Sequence, residues 1–217
     1  MARAIRRGYY NIFSKFYDKI IAMHSKDARG RLRMALAKKS GVSTGDIALD
    51  ICTGTGAVLP SLSKCVGDTG LVIGLDFSSG MLSKARERIN KAGLNNVSLV
   101  LAEADHLPFN KATFKAVTCS HAFYELKGDV RQRSLEEIKR VLLPGGRFCM
   151  MEHELPKSGF IRFLFYIRML VAGGFGFKKA LAEEPVLFSR HFSQVNKEIL
   201  PGGNTKVICG ANPVHNS

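Results

Sequence analysis

The chain has 217 residues, 46% of them hydrophobic and 23% charged, enough to bury a full core and a better fit to one domain than to two. No apolar run approaches the ~18 residues that cross a bilayer, and the opening MARAIRRGYY lacks the apolar stretch of a secretory signal, so a cytoplasmic protein is expected. The net charge of +14 is uneven: residues 1–40 carry eleven Lys or Arg against Asp18 and Asp27, a local excess of +9 that suits nucleic acid, an anionic membrane surface or an acidic substrate.

Ile5, Tyr9, Ile12, Phe13, Phe16, Ile20 and Ile21 recur at three-to-four-residue spacing, which predicts an amphipathic helix with a basic outer face. A second basic helix follows through Leu32, Ala35 and Leu36, and Gly41 ends it. From Asp46 onward, short β-rich runs alternate with helical patterns: IALDI, AVLPSLSKC, LVIGLD, SSGMLSKARERINKAG, VSLVLA, KAVTCS, DVRQRSLEEIKRVLL and RFCMME. Such alternation predicts parallel strands joined by crossover helices. Ser78 or Ser79 can cap one helix, Gly93 stops it, and Pro144-Gly145-Gly146 stops another. After Glu152 comes an apolar and aromatic segment, FIRFLFYIRMLVAGG, carrying Arg162 and Arg168. The runs SQVNKEIL and TKVICGA then flank Pro201-Gly202-Gly203 and read as a closing hairpin.

Five cysteines, Cys52, Cys65, Cys119, Cys149 and Cys209, are scattered without C-x-x-C spacing, so reduced thiols and no metal site are expected. The stretch Asp50-Ile51-Cys52-Thr53-Gly54-Thr55-Gly56 leaves the first predicted strand, and its glycines let the backbone turn tightly and meet a ligand closely. Asp76 follows at the end of the second strand, about 20 residues on, where a carboxylate can accept both hydroxyls of a ribose. Nicotinamide enzymes share that plan, but they need Gly where Cys52 stands and a G-x-G-x-x-G spacing that is missing here.

LDICTGTG, VIGLDFSSGMLSKAR, AEADHLPF and RVLLPGGRF occur in the order and spacing of the class I S-adenosylmethionine-dependent methyltransferases, which the chain resembles over residues 8–211. The resemblance implies an α/β, Rossmann-like, doubly wound sheet of seven strands, mostly parallel with a C-terminal antiparallel hairpin. N-terminal helices (1–44), a cofactor-binding core (45–154), a helical lid insert (155–188) and closing strands (189–212) would form a single domain. It places Asp50, Cys52, Thr53, Gly54, Thr55 and Gly56 beneath the methionine part of S-adenosylmethionine, and Asp76 on the ribose with Ser78 beside it. Phe77 and Met81 line the adenine slot. Glu103 or Asp105 accepts from the adenine amino group, and the Ala104 N–H reaches a ring nitrogen. Ser120 and His121 face the sulfonium.

Phe13-Ser14-Lys15-Phe16-Tyr17-Asp18 resembles the entry of the ubiquinone and menaquinone biosynthesis methyltransferases, which makes Tyr17 a lid residue. The soluble-type phosphatidylethanolamine N-methyltransferases share the plan. Both groups imply a lipophilic acceptor, a quinone precursor or a phospholipid head group, at a membrane surface, and the +9 excess of residues 1–40 with the FIRFLFYIRML segment suits an anionic one on the cytoplasmic side. An acceptor that sheds a proton needs a base, and His121, Tyr124, Glu152 and His153 lie near the predicted edge, with His153 preferred because it follows the fifth strand. The basic charge also fits an RNA-modifying methyltransferase, although no RNA-binding module is visible. A cofactor-binding protein without catalysis is a third reading. Neither the methylated atom nor the oligomeric state is legible.

Overall fold

The computed structural model describes residues 30–126, 128–154, 177–203 and 205–214, with side chains left out over 177–183. The predicted helix over residues 5–21, Tyr17 and the segment FIRFLFYIRMLVAGG lie outside the described residues.

Helix α1 (Arg31–Lys39) leads to β1 (Ile47–Ile51), α2 (Leu59–Val66), β2 (Leu71–Asp76), α3 (Ser79–Lys91), β3 (Val97–Leu101) and β4 (Phe114–Ser120). A 3-10 turn (Phe123–Glu125), α4 (Asp129–Val141), β5 (Leu142–His153), α5 (Phe177–His191), β6 (Ser193–Ile199) and β7 (Thr205–Ala211) complete the order. The seven strands form one sheet in the order β3-β2-β1-β4-β5-β7-β6. Pairs from β3 to β5 are parallel, while β7 is antiparallel to both β5 and β6. The expected Rossmann-like sheet with its closing hairpin is therefore the observed one.

Both faces of the sheet are covered, as the near-continuous apolar strands require. On one face Leu49, Ile51, Val117, Phe148 and Met150 pack against Leu135 and Ile138 of α4 and Phe188 of α5. On the other, Ala48, Val72, Cys149 and Met151 pack against Leu36 of α1, Leu59 and Leu62 of α2 and Ile89 of α3. Ser78 caps α3 by accepting the Met81 N–H at 3.2 Å, and Gly93 follows its end in a left-handed conformation (φ 63°).

Three expectations change. Helix α4 stops at Val141, before the Pro-Gly-Gly stretch, because Leu142 already pairs with Phe114 in the sheet. The register then jumps to Ala116 opposite Arg147, which makes Leu143–Gly146 an excursion within β5. Helix α5 runs on to His191, past the expected insert boundary at 188. It belongs to the core at that end, with Phe188 stacked on Phe148 at 5.0 Å. The cysteines are not all reduced: Cys149 and Cys209, opposite each other on β5 and β7, form a disulfide, and Cys52, Cys65 and Cys119 remain free. Sequence spacing could not bring two residues 60 apart into register.

Candidate active site

After β1 the chain proceeds to β2 and β3 on one side, then crosses to β4 on the other. The crevice between the carboxyl ends of β1 and β4 is the switch point where open α/β sheets bind ligands. The residues that leave these two strands, Cys52 and His121, both have positive φ, 51° and 53°. Non-glycine residues seldom adopt this conformation, and where they do it commonly marks a working site.

The turn after β1 is held from three directions. The Thr53 N–H donates to Leu75 O at 2.9 Å. The Gly54 N–H donates to Asp76 Oδ2 at 2.8 Å, and the Ser78 N–H donates to Asp76 Oδ1 at 2.9 Å. Asp76 thus ties the end of β2 to the glycine turn while its carboxylate, 4% exposed, stays at the sheet edge.

The two glycines of the turn differ. A Cβ on Gly54 (φ 55°) would meet nothing within 4 Å, so there is open space above the backbone. A Cβ on Gly56 (φ 74°) would stand 3.0 Å from Ala85 Cβ and Leu59 Cδ1, so this glycine serves the packing of α2 against α3. Thr55 is buried in the same turn.

Asp50 lies under the turn, 1% exposed, with both oxygens occupied. Thr53 Oγ1 donates to Oδ2 and Thr118 Oγ1 to Oδ1, each at 2.6 Å. Burial raises its carboxyl to about 6, against the lowering effect of the two hydroxyls and with a further rise from the Asp76 charge. Asp50 therefore braces β1 to β4 and the turn from below. Thr118 has no signature that would have marked it in the sequence. The hydrogen bond between Cys119 and Cys52, with burial second, pushes the Cys119 thiol well above its ordinary value, which suits an inert thiol.

After β2 and β3, Met81 is buried, Phe77 and Glu103 are half-buried and Ala104 is buried. Of the two candidate carboxylates, Asp105 is engaged elsewhere: Arg133 of α4 donates to its Oδ2 through Nη2 at 2.9 Å and Nε at 3.3 Å. The side chain of Ser78 is likewise committed to capping α3.

At the far side of the crevice, Ser120 ends β4 and the His121 N–H extends the ladder to Met151 O at 2.8 Å. The rings of His121 and His153 lie 4.4 Å apart, centroid to centroid. Tyr124 sits in the adjoining 3-10 turn. Glu152, on β5 next to His153, is fully buried and its carboxyl lies well above the usual range, first from burial and then from the nearby Glu184 charge. Glu184 of α5 pairs with Lys206 of β7 at 2.7 Å, both side chains at most 3% exposed, and burial raises Glu184 to about 7. This ion pair escaped the sequence reading, although a lysine inside TKVICGA was its one visible sign. Among the described residues no cluster could hold a metal ion, and no helix is long and apolar enough to cross a membrane.

The family model described as the ubiE/COQ5 methyltransferase family matches residues 5–173. The demethylmenaquinone methyltransferase of Oceanobacillus iheyensis is 38% identical over 148 residues, 68% of this chain and 61% of its own. The alignment with that relative thus spans less than two thirds of its length. The demethylmenaquinone methyltransferase of Shouchella clausii is 32% identical over 189 residues, 84% of this chain and 80% of its own. A SAM dependent methyltransferase from Aquifex aeolicus, of known crystal structure, is 25% identical with a TM-score of 0.62, over 86% of this chain and 95% of that one. Phosphoethanolamine N-methyltransferase 2 of Haemonchus contortus, solved in complex with S-adenosyl-L-methionine, shares the fold at 17% identity and a TM-score of 0.63, over 84% of this chain and 52% of that one.

Proposed function

The chain belongs to the ubiE/COQ5 methyltransferase family, and from that premise we propose that it transfers the methyl group of S-adenosylmethionine to a small lipophilic acceptor of quinone type. The observation that carries the reading is the Asp76–Gly54 tie, with a carboxylate and an open glycine backbone at the switch point. The residues fit the cofactor. Asp76 takes the ribose hydroxyls, the turn Cys52–Gly56 lies along the methionine part, and Met81 and Phe77 flank the adenine. Glu103 accepts from the adenine amino group, because the carboxylate of Asp105 is held by Arg133. Ser120 and His121 border the sulfonium, and Tyr17, outside the described residues, is a lid residue by resemblance alone.

The bound cofactor supplies an electrophilic methyl group, so the protein has to align the acceptor in line with it and keep water out. His121 accepts the proton that a carbon or hydroxyl acceptor sheds. His153 and Tyr124 border the same space. The quinone-type acceptor draws its support from the relatives' name, demethylmenaquinone methyltransferase. The reaction takes place on the cytoplasmic face of an anionic membrane, a reading supported by the +9 excess of residues 1–40.

Incubation with methyl-labelled S-adenosylmethionine and two acceptors, a short-chain demethylmenaquinone reduced to the quinol and vesicles of phosphatidylethanolamine, tests this. Label is expected in the quinol. Label in the phospholipid alone would overturn the acceptor class, and label in neither would overturn both. Vesicles containing anionic lipid should retain the protein at low salt and release it as salt rises.

A further inference from the structure

Beneath the two histidines lies a group of buried charges that cofactor binding does not use. Glu152 Oε1 accepts the Phe123 N–H at 2.9 Å, and the Tyr124 backbone amide adds a smaller lowering effect on the carboxyl. The other oxygen, Oε2, is buried, accepts no hydrogen bond among the described residues and stands 4.0 Å from His121 Nδ1. Lys206 faces Glu152 across the β5–β7 ladder, but its ammonium is paired with Glu184. A buried carboxylate needs a matching charge, and His121 is the group placed to supply it from the crevice side.

We infer that Glu152 is a positioning residue for methyl transfer: its carboxylate fixes the ring of His121 through Nδ1, so that Nε2 faces the acceptor and takes its proton. The inference rests on the reading of His121 as the proton acceptor. The acceptor atom bonds to the methyl carbon, the C–S electron pair stays on sulfur, and the acceptor's proton goes to Nε2. The imidazolium so formed is balanced by Glu152, and its proton returns to water through a ring that is 22% exposed. The base is the pair with its carboxylate ionised and its imidazole neutral.

Other groups surround the pair. His153 lies against the ring from β5, and Tyr124 comes from the 3-10 turn. Glu184 of α5 raises Glu152, and Lys206 of β7 lowers it. Arg131 of α4 acts on Glu184. A positive charge on His153 would oppose one on His121 at 4.4 Å, so the carboxylate beneath decides which ring takes the proton.

An acceptor-free measurement tests Glu152 separately from the choice of acceptor. The imidazole resonances of the full chain, loaded with S-adenosylhomocysteine, are followed by NMR as pH varies, with His121→Gln used to assign them. In the wild-type chain the His121 midpoint should lie above the ordinary value of about 6.5. In Glu152→Gln, which keeps an oxygen for the Phe123 and Tyr124 amides, it should fall by about one unit or more. With the reduced short-chain demethylmenaquinone as acceptor, the acidic limb of kcat/KM should move to lower pH with it, and Glu152→Asp should restore part of the shift. A wild-type midpoint at or below about 6.5 overturns the inference even if Glu152→Gln fails to fold. So does a midpoint that Glu152→Gln leaves unmoved. The expected titration with no methylation of the quinol upholds Glu152 and overturns the acceptor reading instead.

Discussion

Asp76 at the end of β2 accepts the amide N–H of Gly54 in the turn after β1, so one carboxylate shapes that turn from the neighbouring strand. Replacing it by alanine removes the brace, together with the ribose contacts proposed for it. We expect Asp76→Ala to weaken S-adenosylhomocysteine binding by roughly 2–4 kcal/mol, since charge-assisted hydrogen bonds are lost. Asp76→Asn, which keeps an acceptor oxygen, should lose less. Calorimetry that found equal affinity in wild type and Asp76→Ala would remove Asp76 from the site.

Gly54 and Gly56 should respond differently to alanine. At Gly54 the added methyl meets open space, so the chain should lose only about 1 kcal/mol of stability from the positive φ, yet bind cofactor poorly because the methyl occupies the ligand's approach. At Gly56 the methyl strikes Ala85 and Leu59, and the loss should appear as lower thermal stability. Thermal unfolding with and without S-adenosylhomocysteine separates the two, and identical behaviour would contradict the division of labour.

Asp50 makes stability depend on pH. Its folded carboxyl, at about 6, holds a proton more tightly than the unfolded value of 3.8. The associated stabilisation is complete below the unfolded value and is lost as pH rises through about 6. The fall amounts to about 3 kcal/mol, and Asp50→Asn should abolish it while retaining a hydrogen-bonding side chain for the two threonines. Denaturant titrations between pH 4 and 7 check this as the difference between the two proteins, because Glu184, raised from 4.5 to about 7, adds its own dependence over the same range. Parallel curves would show that Asp50 is not the source.

Removing one member of the Glu184–Lys206 pair leaves a buried charge without its partner. Lys206→Met should therefore cost about 3–5 kcal/mol at pH 8, whereas the double change with Glu184→Met should recover most of it. Urea denaturation of the three proteins decides the point. A double variant no better than the single one would mean that the pair's value lies in packing, not in charge.

The parts of this molecule that local chemistry determines were legible. The strand runs, the Ser78 cap, the stop at Gly93 and the hairpin around Pro201-Gly202-Gly203 each depend on a few neighbouring residues. The glycine turn after β1 and the place of Asp76 at the end of β2 were legible for the same reason, since a single crossover joins their strands. Contacts between distant elements were not: Asp105 with Arg133, Glu184 with Lys206 and Cys149 with Cys209 depend on how helices and strands meet after folding. The end of α4 was misplaced because strand pairing at Leu142 overrode the stop signal of Pro144-Gly145-Gly146.

The stretch 155–176 is bracketed by two ion pairs. Glu154, just before it, binds Lys197 of β6 at 2.9 Å, and Glu184, shortly after it, binds Lys206 of β7. Both anchors fall on the closing hairpin, so departure and return are fixed to one small region of the scaffold whatever lies between them. Doubling the length of such an interval raises the closure cost by only about 0.6 kcal/mol. The sheet and the turn after β1 therefore tolerate a change of length between these two anchors.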